Sequence, residues 1–461
     1  MRRVATLIAI VMTVGILADA VQARELTLDD CIELALQNRA SIIRARGAES
    51  QAGAEKLAAL GAFMPSLRAS YSYSKGRETD IEPPNVLATE YMAAIDTFVV
   101  GTDTAFDGMM VPTAFDITDE QDIGPRKSWY FSADLDVVNV ANWFNYAAAS
   151  AAKARADLDV LASEQDLMTA VKVSYYAYLA AVENVSVQEE AEKRAEEQLK
   201  LIESRFELGS ASKSDVLRQK VLHGNDRLAL LRARNGVTQA KADLAYTVGI
   251  DPREDHRFST DYRVREYAGT LDDAISFGME HNPRLLASNK LADQAKHSLR
   301  AARSSYLPTL SAYADYSKFT GTQAYPYAFD YSSKSHSIGF SVSYSIFDGF
   351  FRESRVNNAR VFRNNALADL ADMRNSTISG VKTSYLEIEQ IKLQIEVSTE
   401  NVAAAEEDLR ITQEKYNLGA ATILDLLTSQ VSLKEAQVAL IRVQFDLNLA
   451  IARLENAMGK M

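Results

Sequence analysis

Leu28-Asp29-Asp30-Cys31-Ile32 recurs as Leu271-Asp272-Asp273-Ala274-Ile275, and the same offset of 243 residues carries Phe63-Met64-Pro65-Ser66-Leu67 onto Tyr306-Leu307-Pro308-Thr309-Leu310. Further along, the offset falls to about 210. Val171-Lys172-Val173-Ser174-Tyr175 meets Val381-Lys382-Thr383-Ser384-Tyr385, and Arg205-Phe206-Glu207-Leu208-Gly209 meets Lys415-Tyr416-Asn417-Leu418-Gly419. Leu244 to Gly249 against Leu454 to Gly459 closes both copies. Self-similarity of this kind marks one repeated architecture rather than a string of unrelated domains. The chain therefore divides into a first repeat, 24–250, and a second, 251–461, with about 33 extra residues in the first copy between 74 and 128.

Proline and glycine, the strongest breakers of regular structure, locate the elements. No Pro occurs from 126 to 251 or from 327 to 461, and no Gly from 125 to 208. Within that run Leu161, Met168, Val171, Tyr175, Tyr178, Val182 and Val185 fall mostly at alternating three- and four-residue steps, a coiled-coil seam. The spacing predicts a helix from about 139 to 208, on the order of 100 Å long at ~1.5 Å per residue. Val381, Tyr385, Ile388, Ile391 and Ile395 repeat the pattern. Each long helix ends at a Gly (Gly209, Gly419) and restarts at Ser212-x-x-Asp215 or Thr422-x-x-Asp425, the signatures of a left-handed C-terminal residue and a capping box. Two helical hairpins result, about 139–248 and 348–458, and a further helix precedes each strand pair, about 27–62 and 271–306.

Between the helices the apolar period becomes 2. Trp129, Phe131, Ala133, Leu135 and Val137 alternate with Tyr130, Ser132, Asp134 and Asp136. Ile338, Phe340, Val342, Tyr344 and Ile346 alternate with serines and Gly339, and weaker runs begin at Leu67 and Leu310. This predicts four strands, paired as hairpins over about 67–138 and 310–347, each near the ten residues that a tilted strand needs to cross a bilayer. A soluble sandwich face shows the same alternation. In lipid, open sheet edges are not tolerated and single-chain barrels start at about eight strands, so a membrane reading requires several chains to pool their hairpins.

Composition narrows the rest. Of 461 residues 47% are apolar, the formal charge is −12, and there is one Cys and five His. An acidic balance argues against a nucleic-acid partner, and the single Cys excludes an intramolecular disulfide framework or a Cys-rich zinc site. Residues 1–23 read as a secretory signal: Arg2 and Arg3, an apolar run from Val4 to Leu17, then Val21-Gln22-Ala23. No later apolar stretch approaches ~18 residues, so entry into a membrane would be as β-strands. Walker-type, His-Glu-x-x-His and Gly-x-Ser-x-Gly patterns do not appear, so no catalytic residue, metal ligand or cofactor is expected. Cys31 reads as an apolar helix residue and His223 as a solvated one.

The paired Leu-x-x-Ala/Cys-Ile starts, the Leu-Pro-x-Leu or Met-Pro-x-Leu junctions at Pro65 and Pro308, and the Leu-Gly-x-x-x-x-x-Asp tips at Leu208 and Leu418 together resemble the TolC-like outer membrane efflux proteins, over essentially the whole mature chain. The resemblance implies a homotrimer whose twelve strands, four per chain, form one outer-membrane β-barrel, with a long α-helical coiled-coil tunnel in the periplasm. It implies a passive exit duct of a tripartite efflux or type I secretion machine, not an enzyme. The hairpin tips, Leu208, Gly209, Leu418 and Gly419, would meet a periplasmic adaptor (membrane fusion) protein and through it an inner-membrane pump. In this family polar contacts between the tips hold the tunnel closed, which points to Asp215, Tyr416 and Asp425; the alternative for both Asp residues is helix capping, which is compatible with a gate. An Arg often found after the second Gly is Ala421 here.

The segment 78–124 carries eleven acidic residues and no Lys or Arg, and reads as the external loop of the first hairpin, either simply solvated or a cation-binding lid. A competing class is an exported structural or adhesive coiled-coil oligomer without a pore. Strands with a wet face favour the duct, because a rod needs no lumen.

Overall fold

The computed structural model of the chain describes residues 25–79, 120–262, 265–323 and 329–460. The expected signal segment and most of the acidic insertion lie outside the described residues. The element order is α1 (Leu28–Asn38), α2 (Ala40–Gly61), β1 (Ser66–Thr79), β2 (Glu120–Val138), α3 (Val140–Glu207), α4 (Lys213–Val248), α5 (Leu271–His281), α6 (Pro283–Ser304), β3 (Thr309–Gln323), β4 (Phe329–Ser343), α7 (Phe351–Asn417) and α8 (Ile423–Met458).

Two compact units result, and they cut across the sequence repeats. One unit, Ala58–Trp143 with Arg303–Arg352, holds all four strands; the other is the remainder of the chain, the helical part. The repeat boundary near 250 is thus not a boundary between compact units, because each copy contributes a hairpin to one and helices to the other.

The helical unit shows the duplication in its core. Cys31, Val171, Tyr175, Leu244 and Val248 sit in one buried cluster, and of their counterparts Ala274, Val381, Leu454 and Met458 sit in a second, with Tyr385 partly buried against it. Cys31 is fully buried, and burial first, then the Asp30 charge, pushes its thiol up to about 12. The seam of α3 differs at its start: Val160 and Leu167 are buried while Leu161 is exposed. His223 is half-buried and lies 3.0 Å from Glu192 Oε1.

The expected helices over 27–62 and 271–306 are each broken in two. Asn282 adopts an extended conformation (φ −64°, ψ 116°) and its Oδ1 accepts from the backbone N–H of Arg284 and Leu285. A residue before proline is pushed out of the helical region, and Asn282-Pro283 is such a pair. In the first copy Arg39 is extended without a following proline (φ −73°, ψ 128°). Strand β4 ends at Ser343, short of the expected 347, ahead of a turn in which Gly349 and Phe350 both have positive φ. Glu78, Thr79 and Glu120, inside the stretch read as loop, are paired in the β1–β2 ladder.

Candidate functional site

The four strands form one antiparallel sheet in sequence order. Its register fixes what each face carries. Leu67, Ala69 and Tyr71 pair with Ala133, Phe131 and Trp129; these continue through Ala314 and Tyr316 on β3, and Ala314, Ala312 and Leu310 pair with Ile338, Phe340 and Val342 on β4. The Tyr71 and Trp129 rings are 4.6 Å apart, Trp129 and Phe131 stack at 6.4 Å, and Phe131 and Tyr316 are 6.2 Å apart. Ile338, Phe340 and Val342 are 73–84% exposed. A free apolar face of this extent marks an interaction with lipid or protein.

The opposite face is polar and cross-linked. Tyr130 donates to Asp315 Oδ1 at 2.7 Å, Ser337 to Asp315 Oδ2 at 3.4 Å and Ser311 to Asp136 Oδ1 at 2.9 Å, while the Ser72 and Ser128 hydroxyls are 2.7 Å apart. Side chains alternate across a strand, so one ladder presents a greasy wall and a wet wall at once. At the helix-proximal end Phe63 and Trp143 meet edge to face at 5.1 Å, as do Phe347 and Phe350 at 5.5 Å, an aromatic band of the kind found at membrane interfaces.

The second candidate region is the far end of the helical hairpins. In α3 the N–H of Gly209 bonds the Phe206 carbonyl and that of Ser210 the Arg205 carbonyl; in α7, Gly419 bonds Tyr416 and Ala420 bonds Lys415. This is the Schellman arrangement. Gly209 and Gly419 have φ of 77° and 73°, a region that residues with a Cβ enter at a cost. The chain restarts on two capping boxes. Asp215 Oδ2 accepts from Ser212 N–H at 3.1 Å and Asp425 Oδ2 from Thr422 N–H at 2.8 Å, and each Asp N–H bonds back to the hydroxyl. Those bonds from Thr422 hold the Asp425 carboxyl below the usual carboxylate range. Asp425 is exposed and Asp215 half-buried, while Leu208 and Leu418 are 83% and 85% exposed.

Tyr416 packs on the tip core of Ile202, Val216, Ile423 and Leu426. Burial raises its phenol, with the Asp215 charge acting the same way and Arg205 opposing. Arg205 lies over the Tyr416 ring at 5.4 Å and donates to Asn417 Oδ1 at 2.9 Å, and Lys213 lies over Phe206 at 5.3 Å. Tyr416 and Asp215 are therefore brought together, whereas Asp425 stands on its own cap. Arg205 is the tip residue that sequence reasoning missed; its one signal was a basic residue at the equivalent position of both copies, Arg205 and Lys415.

Among the described residues no three or more His, Cys, Asp or Glu side chains are placed to hold a metal ion, and no helix is long and apolar enough to cross a membrane. What the geometry defines is a four-stranded sheet, wet on one face and apolar on the other, in a chain that also forms two long helical hairpins. Residues 130–249 and 275–460 match the family of outer membrane efflux proteins, and the chain belongs to that family. It is an outer-membrane efflux or secretion channel with its helical part in the periplasm. The outer membrane efflux protein BepC of Brucella suis is 22% identical over 315 residues, 67% of this chain and 68% of that one. The proteases secretion protein PrtF of Dickeya chrysanthemi is 22% identical over 464 residues, covering 96% and 90%. The crystal structure of the Campylobacter jejuni CmeC outer membrane channel superposes with a TM-score of 0.75 at 16% identity, covering 94% of this chain and 85% of that one. These likenesses favour the duct over a pore-less coiled-coil rod.

Proposed function

We propose that three copies close their sheets into one twelve-stranded barrel, polar faces inward, and that their long helices continue it as a tunnel through the periplasm. The sheet carries this reading. It ends in two edges, β1 and β4, and open edges cannot stand in lipid, while twelve strands lie within the size range of membrane barrels. Exposed apolar stripes on the helices support further copies: Leu217, Val221, Leu228 and Leu231 on α4, and Leu386, Leu393 and Val397 on α7, at coiled-coil spacing. Each repeat, 24–250 and 251–461, supplies one hairpin of each kind, after removal of residues 1–23 on export.

The duct is passive. An inner-membrane pump supplies the energy and the choice of cargo, and a periplasmic adaptor meets the tips at Leu208, Gly209, Leu418 and Gly419. Tyr416, Asp215 and Asp425 belong to the closed gate, with Arg205 bridging the tips. The test is to measure particle mass in detergent and single-channel current in a planar bilayer. A three-chain particle with a small cation-preferring conductance is expected. A monomer, or an oligomer that never conducts, overturns the reading.

A further inference from the structure

The apolar face of the sheet changes character toward the hairpin loops. Along β3 that face runs Leu310, Ala312, Ala314, Tyr316 and then Lys318. Lys318 stands directly opposite Lys334 on β4 and opposite Trp129 on β2, which in turn faces Tyr71 on β1. Lys127 lies one step further toward the loop on β2. Lys127 and Lys334 are exposed and Lys318 is half-exposed. Among the described residues none of the three makes an ion pair. Asp330, an acid of that face at this end, takes a 2.7 Å hydrogen bond from Thr322 and lies two rungs beyond Lys334 on the loop side, and Asp122 and Glu120 pair with Arg77 and Thr79 in the β1–β2 ladder beyond Lys127.

Like charges set directly opposite one another across two strands are destabilising, so the Lys318–Lys334 pair favours an anion, and among the described residues no ion pair supplies one. Its height says which. Lys318 is eight residues from Leu310, about 27 Å along the strand and roughly 20 Å in height at the ~40° tilt of a barrel strand, so its backbone sits near the top of an apolar band ~25 Å tall. The aromatic rings beside it mark the level where hydrocarbon gives way to headgroups. The chain passes to its helices at the other ends of the strands, Ser66, Val138, Thr309 and Ser343, so with the helical part in the periplasm this end is assigned to the outer leaflet. Lysine stems lie along apolar surface and carry their ammonium groups to that level.

We propose that Lys127, Lys318 and Lys334, framed by Trp129 and Tyr71, dock lipid headgroups whose phosphates carry net negative charge. The inference rests on the outer-membrane placement of the sheet. A soluble anion is the poorer fit, because the lysines share their face with the apolar wall rather than with the hydrogen-bonded polar one. The bound headgroup would neutralise a pair that otherwise weakens the β3–β4 ladder.

The purified protein, reconstituted in phosphatidylcholine vesicles with or without phosphatidylglycerol, is floated and its retained lipid counted by native mass spectrometry. Wild type should prefer phosphatidylglycerol, and the Lys318→Gln/Lys334→Gln variant should lose retention by about fivefold for each lysine removed. The Lys318→Arg/Lys334→Arg variant should keep it. Equal retention in the Gln variant, no lipid preference in wild type, or complete displacement by inorganic phosphate overturns the proposal. Failure of wild type to float with either vesicle would instead overturn the membrane placement itself, and the proposal with it.

Discussion

The Arg205 guanidinium stands 5.4 Å from the centre of the Tyr416 ring and hydrogen-bonds Asn417 Oδ1, tying the last turn of one long helix to the last turn of the other. A cation over an aromatic face at such a partly exposed site contributes about 0.5–1 kcal/mol and the hydrogen bond a similar amount. Arg205→Ala should therefore loosen the tip in every copy and raise the closed-state conductance. Tyr416→Phe, which keeps the ring, should do so less. Single-channel recording decides, and an unchanged conductance in Arg205→Ala would remove this residue from the gate.

Asp425 is exposed and fixed by its capping box. If three copies converge near the axis, their carboxylates favour cations. Asp425→Asn should lower cation selectivity in bilayer recordings while the helix keeps most of its cap, since Asn also caps well. Because the bonds from Thr422 hold the folded carboxyl below its ordinary value, wild-type selectivity should persist as pH falls through the ordinary aspartate range and fade only below it. Selectivity that Asn leaves unaltered would reduce Asp425 to a cap.

Glu455 receives bonds from Arg265 at 2.6 and 3.1 Å and from Lys172 at 2.9 Å. Burial alone would raise its carboxyl, but the two cations hold it below the usual range. A depressed carboxylate gives its stabilisation above the unfolded value and loses it as pH falls through the folded one. Glu455→Gln should cost about 1–3 kcal/mol at neutral pH. The melting-temperature gap between variant and wild type should close as the pH drops below about 4. A gap that stays constant with pH would show that packing, not charge, holds this site.

How much of this was legible depended on the distance between partners along the chain. The tips were readable because a Schellman glycine and a capping box are written within a few residues: Gly209 with Ser212 and Asp215, Gly419 with Thr422 and Asp425. The alternation of β2 and β4 likewise gave the two faces. The helix break at Asn282 carried a local sign, the following Pro283, whereas Arg39 carries none. Arg205 meeting Asn417, and Glu455 meeting Lys172, join residues 212 and 283 apart; such pairing is decided by how helices pack, and no spacing encodes it. The choice of Val160 over Leu161 for the seam is of the same kind, since two adjacent apolar residues offer two faces and only the neighbouring helices select one.

The two faces of β4 give the sharpest contrast. Phe340 is 74% exposed on the apolar face, and Ser341, the next residue, pairs with Ser311 on the polar one. A charged residue facing lipid near mid-depth of a barrel costs about 2–4 kcal/mol, while the lumen side tolerates it. Phe340→Arg should thus reduce the assembled, membrane-inserted fraction sharply, and Ser341→Arg should leave assembly near wild type and change conductance or selectivity instead. Fractionation of outer membranes gives the first readout and bilayer recording the second. If both variants assemble equally well, the face assigned to lipid is wrong; if Ser341→Arg fails and Phe340→Arg assembles, the sheet is inside out.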